Sequence, residues 1–325
     1  MTNQGTPCPA ERTARRRVGF VGAGKVGTTL GRYFLSRSIP VSGYASRTHA
    51  SAVEAAELTG SRAFASLAEL VRESGLIFIT APDSVIASVA RELAASGAPL
   101  AGATICHCSG ALTAEELAPL RAAGASVGSA HPLLAVSDKT GPLDAMAHAF
   151  FTVEGDPAAR ECLAALLDMC GNRHRAINPA DKTRYHAAAV FLSNLAVGLY
   201  GEGFRLLEDC GFTPEEARSA ASSLIMGNAR TVVERGCQAA LTGPAERLDT
   251  RTIERHLAAL GPDARNLYAR LSLCCANIAA RKHPDRDYQP LKERLRSVLD
   301  ARGTLDARNA DEEEMPMTPQ ERSLL

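Results

Sequence analysis

Arg17-Val18-Gly19-Phe20-Val21-Gly22-Ala23-Gly24-Lys25-Val26-Gly27 is the stretch that decides the fold of this chain. A short apolar segment runs into the pattern G-x-G-x-x-G, and a helical pattern follows at once. In a dinucleotide site the first glycine permits the tight turn, the second lets the backbone approach a pyrophosphate, and the third lets helix and strand pack closely. A chance glycine-rich turn is the alternative, but the apolar strand before the glycines and the helical pattern after them favour a dinucleotide site. The stretch predicts a dinucleotide loop whose cofactor contacts are Gly22, Ala23, Gly24, Lys25, Val26 and Gly27.

The end of the second predicted strand indicates which nucleotide binds. An NAD site places an Asp or Glu about 20 residues beyond the glycines, where it bonds the ribose 2′-hydroxyl. This chain has Ser46, Arg47 and Thr48 there. A guanidinium and two hydroxyls suit a 2′-phosphate, and no carboxylate repels it. Arg47 could also be an ordinary solvated loop residue, but the pattern favours NADP as the cofactor.

Bulk composition is typical of a soluble enzyme. The 325 residues suffice for about two domains. Lys plus Arg and Asp plus Glu number 36 each, so we expect neither a nucleic acid nor a membrane surface as partner. The longest apolar run, from Ala187 to Tyr200, is too short to span a bilayer. Residues 1–11 lack the apolar centre of a signal peptide, so a cytoplasmic location is expected.

The nine cysteines do not form a metal-binding pattern. No C-x-x-C pair occurs, and Cys106, His107 and Cys108 would alternate along a strand, which points neighbours to opposite faces. Reduced thiols in a cytosolic protein are the better interpretation, and no metal is expected.

The first half of the chain alternates apolar strands with helical stretches, which predicts a Rossmann-type parallel sheet over residues 17–178. Ligands in such sheets lie outside the carboxyl ends of the strands. Three more predicted strands end in Ala81-Pro82-Asp83, in Ser109 and in His131. We therefore expect the first three residues to contact the cofactor and the other two to contact substrate or nicotinamide, although Ser109 and His131 could equally bond backbone at a strand end.

From Asn178 onward the pattern is helical only. It predicts a smaller all-α domain over residues 179–300, which starts with one helix from Ala180 past Tyr200. Residues 1–16 and 301–325 are expected to be disordered.

That helix carries a second group of candidate residues. At 100° per residue Lys182, His186 and Ser193 share one stripe, and Asn194 lies further round. A lysine near a nicotinamide can act as general acid for a carbonyl or hold a carboxylate by charge. Taken alone, a solvated lysine and a core histidine would be the better interpretation. After a dinucleotide domain, we predict Lys182, His186 and Asn194 as catalytic residues, with Ser109 and His131.

The chain resembles the bacterial proteins that join a Rossmann-like domain to domain of unknown function 2520. The matching segments span about residues 17–260. They are the glycine loop, Ala81-Pro82-Asp83, Cys108-Ser109-Gly110-Ala111-Leu112, His131-Pro132-Leu133, Tyr185–Phe191 with Ser193-Asn194, and Ala240-Leu241-Thr242-Gly243-Pro244. More distantly it is similar to the 6-phosphogluconate dehydrogenase-like superfamily, which includes ketopantoate reductase, pyrroline-5-carboxylate reductase and deazaflavin-dependent NADP oxidoreductase.

The resemblance implies a role for Lys182 and leaves others open. In the beta-hydroxyacid dehydrogenases a catalytic lysine on the first interdomain helix is followed four residues later by asparagine. Lys182 matches by location, but His186 holds the plus-four position. Arg247 is a candidate carboxylate anchor, although its loop could simply end one helix and begin the next. Leu248 stands where the resemblance leads us to expect glycine.

These observations lead to an expected function. The chain is predicted to be an NADPH-dependent reductase of a small 2-oxo acid, with 2-dehydropantoate favoured. Alternatives are an imine reductase, a deazaflavin-linked NADP oxidoreductase and a non-catalytic NADPH-binding sensor. The partners expected are a small carboxylate substrate and a second copy of the chain in a homodimer.

Overall fold

The computed structural model describes residues 17–300, so the disorder predicted for 1–16 and 301–325 lies outside the described residues. The chain divides into two compact units, Met1–Ala196 and Val197–Leu325. The last strand ends at Ala176, close to the predicted change of pattern at 178, whereas the compact units divide later. The difference arises because the helix that follows the last strand stays packed on the first unit through the buried side chain of Lys182.

The first unit is built on an eight-stranded sheet. Its strands are β1 (Val18–Val21), β2 (Val41–Ala45), β3 (Arg62–Ala63), β4 (Leu76–Ile79), β5 (Thr104–His107), β6 (Ser126–Pro132), β7 (Phe151–Gly155) and β8 (His174–Ala176). Their order is β3-β2-β1-β4-β5-β6-β7-β8. The first six positions have the Rossmann order, so the predicted fold class is confirmed. The sheet is not wholly parallel, because β6 and β7 pair antiparallel.

Helices cover both faces of this sheet. They are α1 (Lys25–Ser36), α2 (His49–Thr59), α3 (Leu67–Arg72), α4 (Asp83–Ala95), α5 (Ala118–Ala122), α6 (Asp144–Ala147), α7 (Pro157–Cys170) and α8 (Lys182–Leu192). Every residue of β1, β4 and β5 is buried. Continuous apolar strands of this kind are what a parallel sheet between two helical layers requires. Two apolar cores result, one on each side.

The predicted single helix from Ala180 past Tyr200 is wrong in one respect. The structure has α8 and a separate α9 (Asn194–Asp209), with Ser193 between them in a non-helical conformation. The Ser193 hydroxyl donates to the Ala189 carbonyl oxygen at 2.7 Å. A serine that bonds the preceding turn in this way competes with the helix backbone, and the helix is interrupted at Ser193.

The rest of the described chain is helical, as predicted. The elements are α10 (Pro214–Arg235), α11 (Cys237–Ala240), α12 (Thr250–Ala259), α13 (Pro262–Lys282) and a further helix over 289–300. Thr213 and Glu216 form a capping box at the start of α10. A small core forms around Ile253, Ala276 and Leu291.

The loop before α12 is anchored at Glu246. Its carboxylate accepts a bond from His283 at 2.5 Å and pairs with Lys282, and Tyr288 donates to its carbonyl oxygen. Leu248 in this loop has φ of 58°, the left-handed region that favours glycine. The loop thus keeps a glycine-type turn although a leucine occupies the position.

Helices α9 and α10 bury almost nothing within their own chain. No residue of α9 is buried, and α10 buries only Ala217. Large apolar side chains are exposed on both helices: Leu195, Val197, Leu199, Tyr200, Leu224, Met226, Val232 and Val233. By length and composition alone, the stretch Pro179–Asp209 qualifies as a candidate membrane span, with none of the qualifying window buried.

Candidate active site

The glycine loop has the geometry that a pyrophosphate requires. Gly22 adopts φ of 108°, and a Cβ on Gly27 would lie 2.4 Å from Thr80 Oγ1 and 2.5 Å from the Gly22 carbonyl oxygen. These two glycines therefore make the turn and allow close packing. Gly24 differs, because a Cβ built there meets no atom within 4 Å. Nothing in the protein needs glycine at Gly24, whereas a ligand lying against the backbone would.

The start of α1 leaves its first N–H groups free for an anion. Gly24 is the N-cap and supplies no side-chain acceptor, and the first turn carries no acidic residue. Unpaired N–H groups and the positive end of the helix dipole favour a phosphate. Lys25 is exposed beside them, whereas Ala23 is buried and Val26 half-buried in the packing under the loop. The residues of the loop fit the diphosphate of a dinucleotide.

The end of β2 and the end of β4 complete the candidate cofactor edge. Arg47 and Thr48 are exposed and Ser46 is half-buried just after β2. Since β1, β2 and β4 are parallel neighbours, their carboxyl ends share one edge of the sheet. Ala81-Pro82-Asp83 follows β4 at that edge, and α4 begins at Asp83.

Ser109 has no hydrogen-bonding capacity left for a substrate. Its hydroxyl donates to Asp83 Oδ2 at 2.7 Å and accepts from the backbone N–H groups of Ala111 and Leu112 at 3.2 and 3.0 Å. A hydroxyl offers one donor and two acceptor positions, so all three are in use. Ser109 shapes the turn after β5 and ties it to the start of α4.

Lys182 is buried beneath that turn. Its side chain is 1% exposed, and Nζ donates to the Ser109 carbonyl oxygen at 3.0 Å and to Ser129 Oγ at 2.7 Å. Burial lowers the pKa of the ammonium to about 8, and the nearby carboxylates of Glu154 and Asp83 oppose the shift. Two of its three N–H groups are bonded to the described protein, so a third is left for a ligand oxygen. We call Lys182, Ser109, Ser129 and Glu154 the lysine cluster.

His131 and His186 pack against Gly110 just beyond the lysine cluster. A Cβ on Gly110 would lie 2.6 Å from His186 Nδ1 and 2.9 Å from His131 Nε2, so only glycine fits there. His131 Nδ1 shares a 2.8 Å hydrogen bond with the Tyr185 hydroxyl. Burial lowers the pKa of His131 to about 4, and the neighbouring His186 and Lys182 act in the same direction. His131 is therefore a neutral imidazole at pH 7.

His186 Nδ1 is buried without a hydrogen-bond partner. A buried N–H without an acceptor is costly, whereas a lone pair beside a glycine Cα–H is tolerated. We therefore assign the N–H donor of the His186 ring to Nε2, on the side away from Gly110.

The hydrogen bonds of the described residues do not link Asn194 to this group. Asn194 begins α9, and the helical rise of about 1.5 Å per residue puts it about 18 Å along the chain from Lys182. Its Oδ1 lies 3.1 Å from Ser193 Oγ. Arg247 lies in the second unit with an exposed side chain.

Sequence reasoning did not single out Ser129, Glu154 or Tyr185 as site residues. Ser129 and Glu154 are polar residues at buried positions of their strands, and both are nearly fully buried. A polar residue in or next to a predicted strand was the available signal. Tyr185 adjoins His186 in the resemblance segment, but its partner His131 is 54 residues away in sequence.

Residues 17–300 hold no cluster of potential metal ligands. The structure brings together no group of three or more His, Cys, Asp or Glu side chains that could hold an ion there. His107 bonds through both ring nitrogens, to the Thr113 carbonyl oxygen and from the Ser109 N–H. Burial lowers its pKa to about 4, so it is a neutral structural histidine.

Comparison with protein families recovers the two domains. Residues 1–132 match the model of the Rossmann-like domain, and residues 149–274 match that of a domain of unknown function, DUF2520. The resemblance noted from the sequence is thereby confirmed. A search of curated proteins found no significant match.

Solved structures share the fold. A protein from Bacteroides fragilis, provisionally described as an NADP oxidoreductase, is 24% identical with a TM-score of 0.66, and the match covers 82% of this chain and 99% of that one. Pyrroline carboxylate reductase from Plasmodium falciparum, solved with NADP bound, is 12% identical with a TM-score of 0.54 and coverages of 82% and 97%. A reductive aminase from Aspergillus terreus, in complex with NADPH and ethyl-5-oxohexanoate, is 18% identical with a TM-score of 0.54 and coverages of 88% and 94%. At these identities the likeness shows the fold.

Proposed function

We propose that this chain, in which a Rossmann-like domain is joined to DUF2520, is an NADPH-dependent reductase of a small 2-oxo acid, with 2-dehydropantoate the favoured substrate. The observation that carries the proposal is the Lys182 ammonium, buried at the carboxyl ends of β5 and β6 with one N–H uncommitted. A buried ammonium at the carboxyl ends of the strands, where dinucleotide folds bind their ligands, suits a substrate that develops negative charge on oxygen.

The residues of the glycine loop and of the β2 end fit NADP. The start of α1 would bind the diphosphate, and Gly24 leaves room for it. Arg47, with Ser46 and Thr48, would bind the 2′-phosphate. When bound, NADPH supplies the hydride for the carbonyl carbon. The structural relatives described with NADP or NADPH support this choice of cofactor.

Lys182 would donate the proton that the forming alkoxide needs. With a pKa of about 8, the ammonium is mostly protonated at pH 7 and is also a strong enough acid to give that proton up. The backbone carbonyl of Ser109 and the hydroxyl of Ser129 fix its position on one side. A substrate oxygen would bind the remaining N–H.

The two histidines beside Gly110 would hold the substrate carboxylate. If the Tyr185 hydroxyl donates to His131 Nδ1, the ring proton of His131 lies on Nε2 and can be donated to a ligand. His186 would donate from its Nε2. Ser109 would not contact substrate, because its hydroxyl is fully bonded, and Asn194 would not reach the same small molecule as Lys182.

The test of the proposal is the oxidation of NADPH with a panel of substrates, followed by absorbance. A turnover with 2-dehydropantoate well above that with other 2-oxo acids is the expected result. Turnover only with cyclic imines would favour imine reduction, and turnover only with an oxidised deazaflavin would favour that redox partner. NADPH binding without turnover of any of them would favour a sensor.

We also propose that a second copy of the chain covers the exposed faces of α9 and α10. Helices of 16 and 22 residues gain little stability unless an apolar face is packed, and these helices pack almost none of it. A lipid bilayer fits less well, because Arg205 pairs with Glu202 and Asp209 in the last two turns of α9. Sedimentation should therefore give a homodimer, and V233D should shift it towards monomer; a monomeric wild-type protein would refute the proposal.

A cytoplasmic location is part of the same proposal. The eight cysteines within the described residues are all free thiols, as is usual in a reducing compartment. Detection of the full-length chain in the cytosolic fraction, and not in the membrane fraction, would support this location.

A further inference from the structure

Glu154 is a buried acidic residue that the proposed mechanism does not use. It lies on β7 and is 3% exposed, among strand residues that are otherwise apolar or small. Its Oε2 atom accepts a bond from the Ala114 backbone N–H at 2.9 Å and from Ser129 Oγ at 3.2 Å. Burying a carboxylate is expensive, so a residue kept there requires a compensating partner.

Ser129 connects this carboxylate to Lys182. The Ser129 hydroxyl accepts a hydrogen bond from Lys182 Nζ at 2.7 Å, and its single proton is donated to Glu154. These directions are fixed by chemistry, because an ammonium can only donate and a carboxylate can only accept. The serine is therefore locked in one rotamer between a buried cation and a buried anion.

We propose that Glu154, acting through Ser129, is a positioning residue that orients Lys182 and keeps it in the protonated form. The proposal rests on the proposed function only in giving Lys182 a catalytic use. The arrangement itself is a buried ion pair separated by one hydroxyl, in which each charge offsets part of the cost of burying the other.

Other ionisable groups also face Lys182 and set the background. Asp83 on α4 adds a second negative charge and is exposed, so water screens it. The half-buried thiol of Cys108 and the neutral rings of His107 and His131 are further titratable neighbours. Glu154 is the buried carboxylate of this group, and its removal should have the larger effect on Lys182.

The direct test is the titration of Lys182 by NMR in protein labelled with ¹³C on the lysine side chains. The chain has only five lysines, and the spectrum of K182R assigns the signal. E154Q keeps the size and an acceptor but removes the charge, so the midpoint for Lys182 should fall by roughly one pH unit or more. E154D keeps the charge on a shorter side chain, so its Lys182 midpoint should lie between those of the wild-type protein and E154Q.

D156N is the matched control. Asp156 lies two positions further along, accepts from the Val127 backbone N–H at 2.9 Å and pairs with Arg121. Its substitution removes a structural carboxylate of the same kind without touching Lys182. An unchanged Lys182 titration in E154Q, or an equal shift in D156N, would overturn the proposal.

The NMR test needs no substrate, so it is independent of the proposed reaction. If turnover is found, the fall of kcat at alkaline pH should move to lower pH in E154Q, whereas KM at pH 6.5 should change little. In E154D the fall of kcat should lie between those of the wild-type protein and E154Q. A shifted titration in a protein that turns over no substrate would leave the role of Glu154 intact and refute the proposed function alone.

Discussion

The glycine loop and the lysine cluster lie at the same edge of one sheet, yet they are built in opposite ways. The loop acts through backbone N–H groups and through the absence of side chains, within six consecutive residues. The lysine cluster acts through side chains of β6, β7 and α8, together with one backbone carbonyl from the turn after β5. A site made of backbone groups can be encoded by a short stretch of sequence. A buried charged site needs partners from several elements of the fold, because their contacts must offset the cost of desolvation.

The largest expected effect is that of removing the Lys182 ammonium from the lysine cluster. K182A should lower kcat by roughly 10³-fold while the affinity for NADPH changes less than about 3-fold, because the glycine loop, where we propose that the cofactor binds, is left intact. Stopped-flow turnover and fluorescence titration measure the two quantities. K139A removes a half-buried lysine that pairs with Glu54 and serves as control. Equal losses of turnover and NADPH affinity would contradict the separate roles that we propose for the lysine cluster and the glycine loop.

The next effect separates the roles of two glycines in the loop. G24A adds a methyl group that meets no protein atom, so the melting temperature should hardly change while NADPH affinity falls roughly 10- to 100-fold. G27A places its Cβ against Thr80 and the Gly22 carbonyl, and it should destabilise the protein by about 1–3 kcal/mol. Calorimetry and NADPH titration of both variants are the measurements. A G24A protein that binds NADPH normally would contradict the proposal that the cofactor occupies the open space beside Gly24.

A smaller effect is expected at the end of β2. R47D replaces a guanidinium by a carboxylate that should repel the 2′-phosphate and accept from a ribose hydroxyl, so the preference should shift towards NADH by about 10-fold. The ratio of kcat/KM for the two cofactors measures it. R62D, at another exposed arginine of the first unit, is the control. An unchanged ratio in R47D would refute the 2′-phosphate role of Arg47.

The pH dependence of turnover should show a change of similar size. Because burial lowers the pKa of Lys182 to about 8, the ammonium is present below that pH and is lost above it. Turnover should therefore fall as pH rises through 8, with about a 10-fold loss by pH 9. NADPH binding at the glycine loop should be constant over the same range. A flat turnover profile between pH 7 and 9 would argue against Lys182 as the proton donor.

Sequence reasoning predicted the fold class and the loop because both follow from local rules. The G-x-G-x-x-G pattern and the continuous apolar strands are visible in short windows. The eight-stranded sheet then follows, apart from β3 and β8, which are too short to detect, and the antiparallel β6–β7 pair.

The rest of the site could not be predicted, because its contacts are long-range. Helical spacing put Lys182 and His186 on one face, but it could not show that Nζ meets Ser129, 53 residues away. It also made Ser109 a candidate for substrate binding, although its hydroxyl is fully bonded. The break at Ser193, which separates α8 from α9, depends on one side-chain hydrogen bond.

The nearly unburied helices α9 and α10 have a consequence for how the molecule should be studied. If a second copy covers them, folding of these helices and association become one equilibrium governed by mass action. The helices would then melt at temperatures that rise with protein concentration, whereas the sheet, with two cores of its own, would melt at a constant temperature. Dilution would therefore act on this protein as a mild and selective denaturant.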